Sequence, residues 1–393
     1  MAVLVVTART LGPAGRGAIA AVTTWTGLFV TFGHLSLGQI AIHQASKGRE
    51  DWLPPTASAL LVACGAVTIL GWALAAVMYA CSGAFAGLAP LWIIVGFIAL
   101  PFQVWEQYGS SLLMALERVD LYNRMQVIAR TTGIILLVAL LAAGYGVTGA
   151  LVAIAAAQVL VSFAGARTIC KQMPRRFPWR VDAFRELLGG GIRLHLNAVG
   201  FFLITSTDVL ILNHFRGNAA TGEYQLATQL TFALLVVPQA AAAVLFGTVA
   251  RQGKTGGWPY QRRVLVVLTS LMIVAAVACA VAAPLMIRIV AGRDFLPAVP
   301  VFRILLISLI GMTVATLMGP QWIARGLFLQ LSGIMMVFGV ANVAASFLLT
   351  PRYGMYAPAW TSAITYSILG VIGVALAIRC DAEARSARHE PER

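Results

Sequence analysis

The chain has 393 residues, of which 60% are hydrophobic and only 11% charged, with a mean hydropathy of +0.85. Soluble domains carry about 25% charged residues, so this composition excludes a soluble globular protein. The formal net charge of +14 would point to nucleic acid in a soluble chain; here it is the mark of basic loops on one side of a membrane, and nucleic acid is not an expected partner.

Residues 1–8, MAVLVVTA, are apolar but too short to span a bilayer. No basic start precedes them and no cleavage site follows, so they are not a signal peptide. They read as the end of a first helix whose beginning is missing, either because translation starts further upstream or because that half-helix has been lost. A turn over Arg9–Arg16 follows. Apolar runs of about 20 residues then place spans at 17–45, 57–80, 90–115, 122–143 and 147–166. A basic loop, 167–187, separates them from spans at 188–213, 220–249, 263–290, 298–323, 328–350 and 356–378. The expected fold is an all-α polytopic membrane protein of about twelve transmembrane helices, the first truncated. Its domains are an N-terminal bundle 1–166, a basic linker 167–187, a C-terminal bundle 188–379 and a polar tail 380–393, expected to be disordered.

Of the 28 Lys and Arg residues, 19 fall in one alternate set of loops and 6 in the other. This bias places loop 167–187 and the C-terminus in the cytoplasm. Pro101, Pro238, Pro284, Pro320 and Pro358 lie in or near spans and mark candidate kinks. Trp52, Trp92, Trp179 and Trp258 sit near span ends as interface anchors. The five cysteines are scattered without CxxC spacing, so neither a disulfide framework, a metal site nor a cofactor is expected.

The halves repeat. Gly17 matches Gly222, Arg118 matches Arg325 and Gly146 matches Gly354, at offsets of 205, 207 and 208. Both halves keep one orientation, so the repeat is parallel, an arrangement of alternating-access transporters with a site between the halves. The expected architecture is therefore two six-helix bundles around a central cavity.

Chemistry is sought among polar residues inside spans, which are expensive there and mark function. The richest stretch is Leu187–Tyr224. At about 100° per residue, Asn197, Gly200, Thr207 and Asp208 fall within roughly 60° of Arg193 on the helical wheel, and His195 points away. Arg193 either faces a cavity as an anion ligand or snorkels from a helix end. Arg130, about two turns into its span, is a second cation candidate; Arg303, near a span end, is a third with the same alternative. Glu106 is the deepest charge, on a stripe with Gln103, Gln107 and Ser110. It either couples an ion or pairs with Arg130. Asp208 either lines the cavity, pairs with Arg216 or caps a helix. His34 and His43 read as packed or interfacial rather than as ligands.

Three stretches, ARTLGPAGRGAIAAV, TSTDVLILNHFRGNAATGEYQLATQL, and GRDFLPAVPVFRILL with the RYGMYAPAWTSAI segment, resemble the polysaccharide-flippase branch of the multidrug/oligosaccharidyl-lipid/polysaccharide (MOP) exporter superfamily. The resemblance covers nearly the whole chain. It implies a V-shaped, cation-lined cavity and a lipid-linked oligosaccharide turned from one leaflet of the bacterial cytoplasmic membrane to the other. The implied partners are that substrate, membrane lipids, H+ or Na+ as coupling ion, and polysaccharide polymerase or export machinery. Flipping makes and breaks no bond, so the chain is expected not to be an enzyme; no long outer loop or acid/base constellation contradicts this. Alternatives are a drug/cation antiporter of the same superfamily and a peptidoglycan lipid-precursor flippase.

Overall fold

The computed structural model describes residues 2–46, 52–171 and 179–389. Among these, every regular element is helical. In chain order they are α1 (Ala2–Gly33), α2 (Leu37–Ser46), α3 (Leu53–Cys81), α4 (Pro90–Ile98), α5 (Leu100–Ala115), α6 (Val119–Ala142) and α7 (Gly146–Cys170). Then come α8 (Val181–Thr205), α9 (Thr207–Leu234), α10 (Val236–Gly256), α11 (Trp258–Val290), α12 (Ala298–Ala324), α13 (Phe328–Tyr353) and α14 (Tyr356–His389). Among the described residues, eight helical stretches are long and apolar enough to cross a membrane, or up to nine if the bent pair α1 and α2 forms one span. One of these stretches, Leu194–Leu234, runs through parts of two expected spans as a single 41-residue element, while α4 and α5, separated by Ala99 alone, are each too short to qualify.

The chain divides into two compact units, 2–202 and 203–393. This boundary falls later than the one expected at 188, since most of α8 belongs with the first unit.

In the first unit, prolines and aromatics explain a break. Pro101 has no N–H, so it cannot bond the Phe97 carbonyl one turn earlier, and the helix is interrupted at Ala99. Trp72 Nε1 on α3 donates to that Phe97 carbonyl at 2.8 Å, satisfying a group that would be costly to leave unpaired inside a membrane. The core gathers Ile19, Leu60, Leu100, Tyr108 and Leu112, all essentially without exposure. Tyr108 buries its ring and donates its hydroxyl to the His34 carbonyl at 3.1 Å, tying α5 to the bend after α1. There His34 and His195 meet edge to face, centroids 5.3 Å apart, and Ser36 N–H donates to His34 Nδ1 at 2.9 Å. Both rings are thus packed, as expected for His34; His43 is exposed on α2.

In the second unit, α12 is the buried centre and packs most closely on α14. Gly311 and Gly370 make this possible: a Cβ on Gly311 would lie 2.0 Å from the Tyr366 carbonyl oxygen, and one on Gly370 would lie 2.7 Å from Gly311 Cα. Small residues let membrane helices approach this way. At the other end of α14, the polar residues continue the helix instead of forming a disordered tail. Asp381 accepts from Trp258 Nε1 at 3.1 Å and pairs with Arg262 at 3.2 Å. Glu383 pairs with the buried Arg325 at 3.2 Å, and Arg325 also donates to Cys380 Sγ at 3.0 Å. Residues 390–393 lie outside the described residues.

The internal repeat is visible in backbone angles. Gly12 (φ 64°, ψ −174°) and Gly217 (φ 74°, ψ −173°) break α1 and α9 at corresponding points, where the two outside turns were expected. Gly146 and Gly354, matched in the sequence, also share positive φ, at 53° and 57°.

Candidate functional site

The second unit holds a polar cluster centred on Asp208, in the first turn of α9 and 3% exposed. Its Oδ2 accepts from Tyr224 Oη and Ser362 Oγ, both at 2.8 Å. Its Oδ1 accepts from Ser346 Oγ at 3.3 Å, and Ser346 shares a further bond with Thr361 at 2.7 Å. The carboxylate stands on the first arm of α9, and its donors come from the second arm of α9, from α13 and from α14. Beside the carboxylate lies a cavity of about 20 Å³, bordered by Thr228, Ser308 and Tyr366. That is room for one water-sized occupant. The Tyr366 hydroxyl, buried, has no hydrogen-bond partner among the described residues. Each side chain that bonds the carboxylate does so through a hydroxyl, which can donate to it or turn a lone pair toward a cation. The arrangement can therefore hold a small cation without rebuilding. Arg216, a partner expected from the sequence, donates instead to the Pro351 carbonyl at 2.7 Å.

The first unit holds a second cluster around Glu106 on α5. Gln126 on α6 donates to Oε1 and Gln158 on α7 donates to Oε2. Gln126 also bonds Tyr122 Oη at 2.8 Å and accepts from Arg130 Nε at 3.1 Å. Arg130 thus reaches Glu106 through an intervening amide. A small crevice here is bordered by Glu106, Ser110, Tyr122 and Ser162, so Ser110 of the expected stripe stays with Glu106. Gln103 is half-buried one turn before Glu106.

The remaining candidates are separate. Asn197 is half-buried on α8 in the first unit. Arg193 is on the same helix, with its side chain outside the described residues. The wheel that joined them to Asp208 required an unbroken helix, but α8 ends at Thr205 and Ser206 (φ −133°, ψ −26°) intervenes. The single helix that the wheel assumed is therefore interrupted before Asp208. Arg303 is exposed and donates to the Ala280 carbonyl at 3.0 Å, joining neither cluster. The sequence reading missed Tyr224, Ser346 and Ser362, and Gln126 and Gln158. The amides carried a usable signal, because an unpaired amide in an apolar span is costly.

Residues 1–252 match the family described as polysaccharide biosynthesis protein. No curated protein matches the chain. Among solved structures, the chain is similar to the lipid II flippase MurJ in an inward closed conformation, with TM-score 0.77 and 14% identity over 96% of this chain and 84% of that one. It is also similar to an inward-facing multidrug resistance MATE family transporter of the MOP superfamily, with TM-score 0.74 and 14% identity over 97% and 95%. A MOP superfamily transporter from Pyrococcus furiosus follows at TM-score 0.59 and 13% identity over 97% and 90%. These proteins are transporters and flippases, not enzymes. The chain belongs to the polysaccharide biosynthesis protein family and is a multi-pass membrane protein with the MOP-superfamily transporter fold.

Proposed function

We propose that the protein flips a lipid-linked oligosaccharide across the bacterial cytoplasmic membrane by alternating access, driven by a monovalent cation, H+ or Na+, held at Asp208. The observation that carries this reading is the buried Asp208 cluster in a chain of the polysaccharide biosynthesis family. One carboxylate, hydroxyls on three helices and a cavity for a single small occupant make a site whose filling favours one packing of those helices over another. Arg193 and Arg130 supply cations for the diphosphate of the head group. The basic loop 167–187 and the C-terminus are cytoplasmic.

The test uses protein in liposomes with a fluorescent polyprenyl-diphosphate-linked sugar, reading how much reaches the opposite leaflet. The expected result is translocation stimulated by a H+ or Na+ gradient, reduced at least tenfold in Asp208→Asn and reduced by alanine at Arg193 and Arg130. Head-group transport indifferent to Asp208→Asn would remove the coupling assignment. Export of cationic dyes in its place would establish the drug/cation antiporter. The similarity to a lipid II flippase makes a peptidoglycan precursor the natural second cargo in the same assay.

A further inference from the structure

The second unit carries a crevice of about 350 Å³ between α10 and α11, which shares no lining residue with the cavity at Asp208. On α11 the lining residues Tyr260, Arg263, Val264, Val267 and Leu268 follow helical spacing and form one stripe. Ala241, Val244 and Leu245 on α10 face them. The stripe extends roughly 12 Å along the helix. It is polar only at its start, where Tyr260 and Arg263 stand, and apolar beyond.

Three further observations identify what fits. Val244 and Val267 are each 58% exposed and Val266 beside them equally so, so the crevice opens on an apolar helix face that a bilayer would cover. The charged end is basic: Arg251, Lys254, Arg262 and Arg263 gather within the end of α10 and the start of α11. Finally, the neighbouring arginines are used differently. Arg262 is committed to Asp381, whereas Arg263 has no ion-pair partner among the described residues and borders the crevice.

We infer that this crevice is a binding site for an anionic phospholipid, with the phosphate at Arg263 and Tyr260 and one acyl chain laid along Val264, Val267 and Leu268. Lipid tails are as apolar as the valines they would touch, so the chain contributes fit and little preference. Preference comes from the head group: a basic side chain at the interface favours an anionic lipid by about fivefold. A crevice that ends in arginine therefore selects by charge and retains by shape. This site is independent of what the protein transports.

The test is native mass spectrometry of the purified full chain titrated with dioleoyl phosphatidylglycerol or dioleoyl phosphatidylcholine. We expect a retained phosphatidylglycerol adduct favoured over phosphatidylcholine by about fivefold. Arg263→Gln abolishes that preference, Arg263→Lys keeps most of it, and Arg251→Gln, an equal loss of charge outside the crevice, leaves it intact. Val267→Trp, which fills the crevice, lowers occupancy by both lipids. The inference is overturned if the wild type shows no preference, if Arg251→Gln erases it as fully as Arg263→Gln, or if Val267→Trp leaves occupancy unchanged. Displacement of the adduct by polyprenyl phosphate at equal concentration would also overturn it, by making the crevice a substrate-tail site. Because these readouts need no transport, they stand or fall apart from the flippase reading.

Discussion

Tyr224 donates its hydroxyl to Asp208 at 2.8 Å although the two residues lie 16 positions apart on what is nominally one helix. An unbroken helix would separate them by roughly 24 Å. The contact exists because Gly217 reverses the chain between them. The hairpin and the polar cluster are therefore one structural unit, and each is a handle on the other.

Gly217 holds φ 74° and ψ −173°, a conformation essentially restricted to glycine and costly for other residues by about 1–3 kcal/mol. Gly217→Ala is expected to destabilise by that amount. Because the strain sits between Asp208 and Tyr224, it should also lower cation-coupled transport. Gly12→Ala, at the matching position, should carry a similar stability cost with a smaller effect on coupling. Denaturation of each purified variant in detergent, beside the liposome assay, separates the two effects.

At Asp208 itself, removing the acceptor and removing the charge have different consequences. Asp208→Ala leaves three hydroxyls around an empty centre and should cost about 1–3 kcal/mol. Asp208→Asn keeps an acceptor and should cost less, while losing coupling. Tyr224→Phe removes one bond and should cost about 1 kcal/mol. If thermal unfolding ranked Asn as more damaging than Ala, the cluster would not be organised around the carboxylate oxygens.

Much of this was legible in the sequence, and the limits are physical. Membrane class and helical content follow from apolar runs that nothing soluble would carry. The repeat was readable in matches such as Gly146 with Gly354, tight turns that share positive φ, whereas the pairing of Gly12 with Gly217 emerges only from their backbone angles. Glu106 and Asp208 stood out because a charge in a span must be compensated. Their partners did not, since Ser346 and Ser362 lie 138 and 154 residues from Asp208, and a hydroxyl in a membrane helix more often bonds its own backbone. The Arg193–Asp208 wheel assumed one continuous helix, and nothing in Thr205–Thr207 announces the break at Ser206.

The amides around Glu106 give a third prediction. Gln126 and Gln158 each offer a donor to the carboxylate; the Gln126 oxygen is held by Arg130, but the Gln158 amide can rotate to offer its oxygen instead. Glu106→Gln should therefore fold with a stability change under about 1 kcal/mol, whereas Glu106→Leu strands the Gln158 amide, takes one bond from Gln126 and should cost about 1–3 kcal/mol. Thermal unfolding of the two variants checks this. A transport loss in the stable Glu106→Gln variant would mark the charge itself as functional.

Gly311→Ala is expected to be among the most damaging small substitutions. Its Cβ would overlap the Tyr366 backbone, and no side chain can move aside to relieve the clash. Separation of α12 from α14 should destabilise by about 1–3 kcal/mol or more and displace Tyr366 from the cavity it borders. Folded yield in membranes and unfolding temperature would show it; wild-type values for both would contradict the close packing described above.

The end of α14 bears on how the protein is handled. By composition, Cys380 onward looks like spare sequence, the natural place to cut back a chain or attach a reporter. Yet Asp381 holds Trp258 and Arg262, and Glu383 holds Arg325, so these residues secure the start of α11 and the turn after α12. A fusion joined directly after Arg379 would delete those attachments and leave the Arg325 guanidinium buried without its carboxylate. Joined after Arg393, the same fusion leaves them all in place.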